Sequence, residues 1–322
     1  MSSSPRYSVV VPVYNRPQEL DELLHSLTEQ TFRDFEVIIV EDGSSITSQS
    51  VYEKYASQLS ISYFVKPNSG PGPSRNYGFE KARGDYFVVF DSDCVIPPQY
   101  FEVVENYLRS QPLDAWGGPD RGHNDFTLLQ RAMAFTMSSV VTTGGIRGGK
   151  QHLGNFQPRS FNMGLSRQVF EKTGGFQFSR FAEDIELSIR MRKAGFRVGL
   201  IADAYVFHKR RTSLGQFFKQ VSNFGKGRIL VGQAHPGEVK LAHWAPAVFL
   251  AGLVTTVLMF LFYAPLAAFM SAAYLFFFLV LFVDGIRVTG SFAVSLLALP
   301  SAFVQLTGYG FGFLKEKLKT YI

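Results

Sequence analysis

Short apolar runs alternate with amphipathic segments along the first hundred residues. Tyr7–Val13, Phe35–Val40 and Tyr86–Phe90 are nearly continuous β-branched or aromatic runs, which is typical of strands buried on both faces. Between the first two runs, leucines at positions 20–27 recur at the spacing of one helical face. This alternation with short connections predicts an α/β fold built on a mostly parallel central sheet.

Helix and strand signals continue along the chain in the same way. We expect Asn15 to cap a helix in which Pro17 occupies the first turn. Residues 115–160 are rich in glycine and polar side chains, and we expect substrate loops there around one apolar helix near 126–141. The remaining predicted elements are a strand at Ser62–Val65, helices at Pro73–Ala82, Pro97–Leu108 and Ala182–Ala194, a helix capped by Ser166, and a strand at Arg197–Phe207.

The last quarter of the chain has a different amino-acid composition. No charged residue occurs from Trp244 to Val283, a stretch long enough for two helices to cross a hydrocarbon core of roughly 30 Å. A third apolar segment contains Pro300, Gln305 and three glycines. We therefore predict an all-α membrane domain at 241–322 with two to three transmembrane helices, at about 245–264, 266–283 and 291–314.

Charge and cysteine content narrow the functional class. The net charge of +6 fits either nucleic acid or an anionic membrane surface, and the apolar tail favours the membrane, so no nucleic-acid partner is expected. The single cysteine, Cys94, excludes an intrachain disulfide framework and a four-cysteine zinc site. No apolar segment precedes Tyr7, so we expect no secretory signal peptide. The expected location is a plasma or inner membrane, multi-pass, with a cytoplasmic catalytic domain.

One consequence of that orientation conflicts with a general rule. If all three segments span, Lys315, Lys317 and Lys319 lie outside, against the positive-inside tendency. A re-entrant or interfacial third segment would remove the conflict, and the sequence leaves both arrangements open. Residues 209–230 mix lysine and arginine with phenylalanine, which indicates an interfacial stretch on an anionic membrane at the end of a first domain, residues 1–230.

Polar clusters follow the predicted buried strands, at the edge where open parallel sheets bind ligands. Asp91, Ser92 and Asp93 place two carboxylates after one strand, an arrangement that suits Mg²⁺ or Mn²⁺ but also an ordinary solvated turn. Asp42 follows another strand and is suited either to a base or ribose, or to an Asx-turn.

Three further candidates come from later in the chain. Asp184, with Glu183, opens a predicted helix, where an acid is either favoured by the helix dipole or acts as a general base. His208 follows a strand and precedes basic residues; it is either a metal or diphosphate ligand or a surface histidine. Trp116 is either an aromatic wall for sugars or a core residue.

Seven motifs occur in order along residues 7–230: SVVVPVYNRP, FEVIIVEDGSS, GPSRNYG, YFVVFDSD, FNMGLSRQVFEKTGGF, FAEDIELSIRM and VFHKR. Together they resemble the family-2 inverting glycosyltransferases, whose catalytic domain has the GT-A fold, a Rossmann-like fold that binds nucleotide-diphosphate sugars. The resemblance implies Mn²⁺ or Mg²⁺ as the cofactor.

The resemblance also implies roles for individual residues. On the donor side, Pro12 and Tyr14 would line the nucleotide pocket, Asp42 would contact the base, and Arg75 would lie near the base or the phosphates. Asp91, Ser92 and Asp93 would form the Asp-x-Asp motif, with Asp93 as the direct metal ligand and Asp91 beside it. His208 would complete the metal or diphosphate site. Asp184 would be the catalytic base. Guanidinium groups bind phosphate oxygens well, so Arg210 or Arg211 could add a cationic contact to the donor diphosphate. Weaker candidates for the sugar or acceptor are Trp116, Gly117, Asn162 and Glu183.

These implications predict transfer of one sugar from a UDP- or GDP-sugar to a hydroxyl or phosphate, and the interfacial stretch at 209–230 suggests that the acceptor is a lipid-linked glycan. A nicotinamide oxidoreductase is excluded because no Gly-x-Gly-x-x-Gly turn follows Tyr7–Val13, and a nucleotide-sugar pyrophosphorylase because no glycine-rich phosphate loop does. A processive polysaccharide synthase remains an alternative, although no tryptophan follows Arg228 as that class requires. A catalytically inactive membrane scaffold is the other alternative.

Overall fold

The computed structural model describes residues 4–121, 126–143, 156–209 and 211–319. The chain divides into two compact units. The first comprises residues 1–123 and 156–209, and the second comprises residues 124–155 and 210–322. The domain boundaries drawn from the sequence at 230 and 241 remain a prediction.

The elements of the described residues have the following bounds. The strands are β1 (Tyr7–Val13), β2 (Phe35–Asp42), β3 (Ile61–Lys66), β4 (Tyr86–Phe90), β5 (Cys94–Val95), β6 (Ala115–Gly117), β7 (Asp120–Arg121), β8 (Asn162–Ser166), β9 (Val198–Leu200) and β10 (Val206–His208). The helices are α1 (Pro17–Thr28), α2 (Gln49–Tyr55), α3 (Pro71–Lys81), α4 (Tyr100–Ser110), α5 (Leu128–Ser138), α6 (Val140–Thr143), α7 (Arg167–Thr173), α8 (Glu183–Lys193), α9 (Leu214–Ala234), α10 (Ala245–Phe262), α11 (Ala264–Thr289) and α12 (Phe292–Lys319).

A seven-stranded sheet of order β3-β2-β1-β4-β8-β6-β9 forms the centre of the first unit. All neighbours in it are parallel except β8, which runs antiparallel to both β4 and β6. The α/β fold with a mostly parallel sheet is therefore confirmed. A smaller sheet of order β5-β10-β7 lies in the same unit.

Burial on both faces explains why the sequence of β1 is apolar at nearly every position. Val9 and Val11 lie in one core cluster with the buried leucines of α1, whereas Val10 lies in a second cluster with Phe79 and Phe87. Successive side chains of a strand point to opposite faces, so a strand covered on both faces needs an apolar residue at every position.

The strand predicted at Arg197–Phe207 is wrong in one respect. Residues Val198–Leu200 and Val206–His208 form two separate strands in two different sheets. A turn separates them, in which the amide of Ala204 donates to the carbonyl of Ile201 at 3.1 Å. The sequence does not reveal this turn because the residues at its two ends, Ile201 and Ala204, are apolar and buried like strand residues. Of the loops predicted between 115 and 160, the parts at 122–125 and 144–155 lie outside the described residues.

The second unit is helical in the residues described. Three of its segments are long and apolar enough to cross a membrane: Leu241–Phe262, Ala264–Thr289 and Phe292–Lys319. The first two bury only 11% of their most apolar window within the chain, whereas the third buries 44%. The third helix continues through Pro300 without a break. It packs against α5, α9, α10 and α11, which explains its larger buried share.

Candidate active site

Asp93 and His208 meet because strand β10 pairs antiparallel with β5, with His208 opposite Cys94. The imidazole Nε2 of His208 lies 3.1 Å from Oδ1 of Asp93. The other carboxylate oxygen of Asp93, Oδ2, accepts a hydrogen bond from the guanidinium of Arg16. Both oxygens of this buried carboxylate are therefore held by cationic side chains.

The electrostatics of this cluster keep its charges in place. Burial alone would raise the pKa of Asp93, but His208 and Arg16 together lower it well below its usual range. Burial alone would lower the pKa of His208, but the hydrogen bond and charge of Asp93 raise it instead. The cluster thus combines an ionised carboxylate with an imidazole that readily carries a proton.

The donor atoms of this cluster fit a divalent cation only in part. Asp93, Cys94 and His208 offer ligand atoms within 4.8 Å of one another. Carboxylate oxygen and imidazole nitrogen suit Mn²⁺, and oxygen suits Mg²⁺. Burial, together with the neighbouring carboxylates, raises the pKa of the Cys94 thiol, so it stays protonated and makes a poor ligand. The residues that fit the metal are therefore Asp93 and His208.

Asp91 takes part in a second charged group, centred on Arg75. The guanidinium of Arg75 donates to Oδ1 of Asp91 at 2.8 Å and to Oε1 of Glu183 at 2.9 Å. It lies 5.2 Å from the ring centre of Phe176 and is almost fully buried. Burial raises the pKa of Glu183, as does the charge of Asp184, while Arg75 opposes both. Arg75 thus links the Asp-x-Asp segment to the first turn of α8.

Asp184 lies in that first turn. Its Oδ1 accepts from the amide of Ile185 at 2.8 Å, while the contacts of Oδ2 with described residues are long, 3.5 Å to the amide of Ser160 and 3.6 Å to the guanidinium of Arg159. The turn begins at Ala182, which has a left-handed backbone with φ of 56°. A non-glycine residue there is uncommon and is often found at functional sites.

Asp42 has a clear structural task. Its carboxylate accepts hydrogen bonds from the amides of Ser69 and Gly70, each at 2.9 Å, and from the ammonium of Lys66. Burial would raise the pKa of Asp42, but these donors lower it. The carboxylate therefore holds the loop that leads into α3 and hence to Arg75.

The capping role expected for Asn15 is wrong. Arg16 is the N-cap residue of α1 and makes no side-chain cap. The side chain of Asn15 accepts from the amides of Ser45 and Ile46, at 2.8 and 3.0 Å, and its backbone is left-handed with φ of 54°. It thus joins the turn after β1 to the turn after β2.

The other candidates divide between surface and core. Tyr14 is 53% exposed and Pro12 is half-buried, both at the end of β1 where a ligand has access. Ser92, Trp116 and Gly117 are buried. Asn162 is also buried, and its side-chain amide accepts from the hydroxyl of Tyr100 at 2.6 Å and donates to the carbonyl of Ala204 at 2.8 Å.

The basic pair expected to clamp the diphosphate remains a prediction. Arg210 lies outside the described residues, and Arg211 belongs to the second unit. Arg16 was not predicted from the sequence, although its position is informative. It is a basic residue shortly after the carboxyl end of β1, where open α/β sheets bind ligands.

Comparison with known proteins gives the arrangement a context. A model for Glycosyl transferase family 2 matches residues 8–174, more than half of the chain. An uncharacterized glycosyltransferase of Rickettsia typhi is 34% identical over 106 residues, 33% of this chain and 33% of that protein. The poly(ribitol-phosphate) beta-N-acetylglucosaminyltransferase TarS of Staphylococcus aureus is 32% identical over 130 residues, 39% of this chain and 21% of that protein. The chain thus spans a third or less of the length of these relatives.

Solved structures share the fold. The mannosyltransferase PcManGT from Pyrobaculum calidifontis, in complex with GDP-Man and Mn²⁺, superposes with a TM-score of 0.65 at 15% identity, over 95% of this chain and 88% of that one. Residues 1–349 of S. aureus TarS, in complex with UDP-GlcNAc, give a TM-score of 0.50 at 18% identity, over 98% and 92%. The GT-A fold expected from the sequence is confirmed, and the chain belongs to glycosyl transferase family 2.

Proposed function

We propose that this protein is a membrane-associated inverting glycosyltransferase that moves one sugar from a UDP- or GDP-sugar to a hydroxyl or phosphate of a lipid-linked glycan. The observation that carries the proposal is the convergence of two charged groups. Asp93 with His208, and Arg75 with Asp91 and Glu183, lie in one unit, and Glu183 is followed directly by Asp184. The complexes of similar folds with GDP-Man and with UDP-GlcNAc support a nucleotide-sugar donor.

On the donor side, Asp93 and His208 would hold Mn²⁺ or Mg²⁺. When bound, such a cation stabilises the negative charge that develops on the leaving nucleoside diphosphate. Tyr14 and Pro12, at the accessible end of β1, would line the base, next to the loop that Asp42 holds. Arg75 is buried between two carboxylates, so it would orient Asp91 rather than bind phosphate directly.

On the acceptor side, Asp184 would act as the base. The contacts of its Oδ2 within the described part of the chain are 3.5 and 3.6 Å long, so this oxygen can accept a hydrogen bond from an incoming hydroxyl. The hydroxyl oxygen forms its bond to the anomeric carbon as the bond to the diphosphate breaks, and its proton passes to Oδ2. Attack from the face opposite the leaving group inverts the anomeric configuration. Arg75 holds Glu183 and thereby the turn that carries Asp184.

The second unit supports the membrane part of the proposal. The chain itself buries only 11% of the most apolar window in each of its first two candidate spans, so most of their apolar surface is left exposed. Apolar surfaces of that extent need lipid or a partner protein. The basic and aromatic residues at 209–230 suit an anionic lipid surface. A catalytic domain held at such a surface meets lipid-linked acceptors more readily than soluble ones.

A ligand screen tests the donor side. The purified chain is heated with nucleoside diphosphates and nucleotide sugars, with and without Mn²⁺, since a ligand that binds only the folded state raises its stability. We expect one nucleotide to raise the melting temperature in a Mn²⁺-dependent manner. Asp93→Ala should abolish that dependence, and Asp184→Ala should retain it while abolishing transfer.

Three results would contradict the assignment. If no nucleotide or nucleotide sugar bound, the donor class would be wrong. Near-normal turnover by Asp184→Ala would remove that residue from the base role. Equal transfer to soluble and lipid-linked acceptors by the detergent-solubilised enzyme would exclude a lipid-linked acceptor as the preferred substrate.

A further inference from the structure

Arg16 has no role in the proposed chemistry, yet it contacts the carboxylate that this chemistry needs most. Its guanidinium donates to Oδ2 of Asp93, while His208 holds Oδ1. A divalent cation held by Asp93 and His208 would share this carboxylate with the guanidinium. Like charges so close repel each other strongly in a partly buried site, so Arg16 and the cation cannot both keep those positions.

Arg16 differs from the other arginine of the site in its freedom to move. The side chain of Arg75 is 3% exposed and is fastened by two carboxylates. The side chain of Arg16 is 35% exposed and donates to Asp93 alone among the contacts described. The charges of Glu19 and Asp91 act on Arg16 as well, so its guanidinium lies in a negative field at the edge of the sheet. With a third of its side chain exposed and one carboxylate partner described, Arg16 can turn to another anion once a cation replaces it at Asp93.

We propose that Arg16 is a displaceable counter-cation that couples metal binding to donor binding. It neutralises Asp93 when no donor is bound, and it turns to the donor diphosphate when metal and nucleotide arrive together. Guanidinium groups form bidentate hydrogen bonds with phosphate oxygens, so the diphosphate offers Arg16 a better partner than the one it gives up. This inference rests on the proposed function, because it assumes that Asp93 and His208 are the metal ligands.

The coupling has a defined thermodynamic consequence. Arg16 opposes the metal when it binds alone and supports it when a diphosphate is present. Metal and nucleotide should therefore each raise the affinity of the other by the same factor, as linkage requires. Removing the guanidinium should strengthen metal binding alone and weaken the mutual enhancement.

The test measures Mn²⁺ binding to the full-length protein by electron paramagnetic resonance, with and without UDP or GDP. For Arg16→Gln we expect Mn²⁺ alone to bind about tenfold more tightly than to the wild type, and the nucleotide-dependent enhancement to fall by about tenfold, the range typical of allosteric couplings. Arg16→Lys keeps the charge but not the planar fork, so Mn²⁺ alone should bind as in the wild type while the enhancement is reduced.

The matched control is Lys54→Gln, which removes a cation that pairs with Asp21 on the neighbouring helix, 2.6 Å away, and takes no part in the site. It should leave both quantities unchanged. Unaltered Mn²⁺ binding by Arg16→Gln, in a protein with the wild-type melting temperature, would overturn the inference, and so would weaker binding.

One further variant distinguishes a failure of the role proposed for Arg16 from a failure of the proposed function. Asp93→Asn should abolish Mn²⁺ binding both in the wild type and in the Arg16→Gln variant. If Mn²⁺ still binds, the assumed metal site is wrong. If Mn²⁺ binds through Asp93 but neither nucleotide does, the donor class fails, while the comparison of Mn²⁺ affinities still decides the role of Arg16.

Discussion

At the scale of single residues, the first unit uses buried carboxylates for two purposes. Asp93 and Glu183 belong to the candidate site, where each is balanced by an arginine. Glu41 and Glu105 serve the fold. Glu41 is fully buried and accepts from the amide of Ser48 and the hydroxyl of Tyr63, at 2.8 and 2.9 Å, which fastens the loop after β2. Burial and charge alone therefore do not identify a catalytic residue.

Glu105 permits a test by pH away from the site. It accepts hydrogen bonds from the hydroxyl of Tyr7 at 2.6 Å and from Arg6 and Arg109 at 3.2 Å. Burial would raise the pKa of Glu105, but these donors lower it. A lowered pKa in the folded state means that its stabilisation is present above the unfolded pKa, about 4.3, and is lost as the pH falls through the folded one.

We therefore expect Glu105→Gln to lower the free energy of unfolding by about 1–2 kcal/mol at pH 7, the size of a partly screened charge-assisted hydrogen bond. The difference from the wild type should stay constant from pH 7 to about pH 5 and shrink as the pH falls further, through about 4 towards about 3. Urea unfolding of both proteins across this range measures it. A difference that stays constant with pH would mean that the charge of Glu105 contributes nothing.

At the scale of elements, α3 joins the donor side of the site to the acceptor side. Asp42 holds the loop at its start. The side chain of Asn76 then donates to the carbonyl of Phe176 and accepts from its amide, both at 2.8 Å. Gly72 allows close contact with the same loop, because a Cβ atom there would lie 2.1 Å from the carbonyl oxygen of Phe178. The loop that α3 holds leads directly to Asp184.

We expect Asn76→Ala to lower the rate of sugar transfer by about ten- to a hundredfold, since small misplacements of a catalytic group have effects of that size. Nucleotide affinity should change by less than about twofold, because the hydrogen bonds described for the Asn76 side chain go to the backbone of Phe176 and not to the candidate metal ligands. Steady-state kinetics and calorimetry separate the two effects. Asn106→Ala on the exposed face of α4 is the matched control, and a loss of nucleotide affinity equal to the loss of rate would refute a positioning role.

Helices α9 and α12 pack closely within the second unit. A Cβ atom at Gly312 would lie 2.0 Å from the backbone carbonyl oxygen of Ser222. Small residues that let helix backbones approach are typical of packing between membrane helices. The apolar residues Phe217 and Val221 of α9 are buried in this unit, so part of the stretch expected to lie on the membrane is occupied by packing.

We expect Gly312→Ala to destabilise the second unit by about 1–3 kcal/mol, because the added methyl group meets backbone rather than a movable side chain. Thermal unfolding in detergent measures the effect. Gly215→Ala is the control: it lies on α9 with no atom within 4 Å of the added Cβ, and a helical alanine is favoured there by up to about 1 kcal/mol. Equal melting temperatures for both variants would contradict close packing at Gly312.

At the scale of the whole molecule, the two units have opposite surface characters. The first buries its apolar side chains in two clusters around a sheet, whereas the second exposes many of them on α10 and α11. We expect the full chain to stay in the membrane fraction after an alkaline wash. Val254→Arg, at an exposed position near the middle of α10, should reduce that fraction severalfold, since a central arginine costs about 2.5–3.5 kcal/mol on insertion.

The control for that experiment is Val65→Arg, an exposed valine on edge strand β3 of the first unit. It adds the same charge and should leave the membrane fraction unchanged. If Val254→Arg also had no effect, α10 would not lie in the hydrocarbon core.

The sequence by itself determined the features that depend on local pattern. Continuous apolar runs indicated the strands of the central sheet, and the uncharged segment after Trp244 indicated long apolar helices, because burial and hydrogen bonding act on every residue of such elements. Motif order indicated the family. Asp93 and Asp184 were candidates because the family resemblance gives them roles; by position alone, a solvated turn and the helix dipole account for them equally well.

Tertiary structure alone decided which side chains meet. The division of residues 197–207 between two sheets, the pairing of Arg16 with Asp93, and the use of the Asn162 amide inside the core all depend on contacts between residues far apart in sequence. A local pattern carries no information about such partners, since the same arginine or asparagine is equally compatible with solvent, core or site until the strands are placed beside one another.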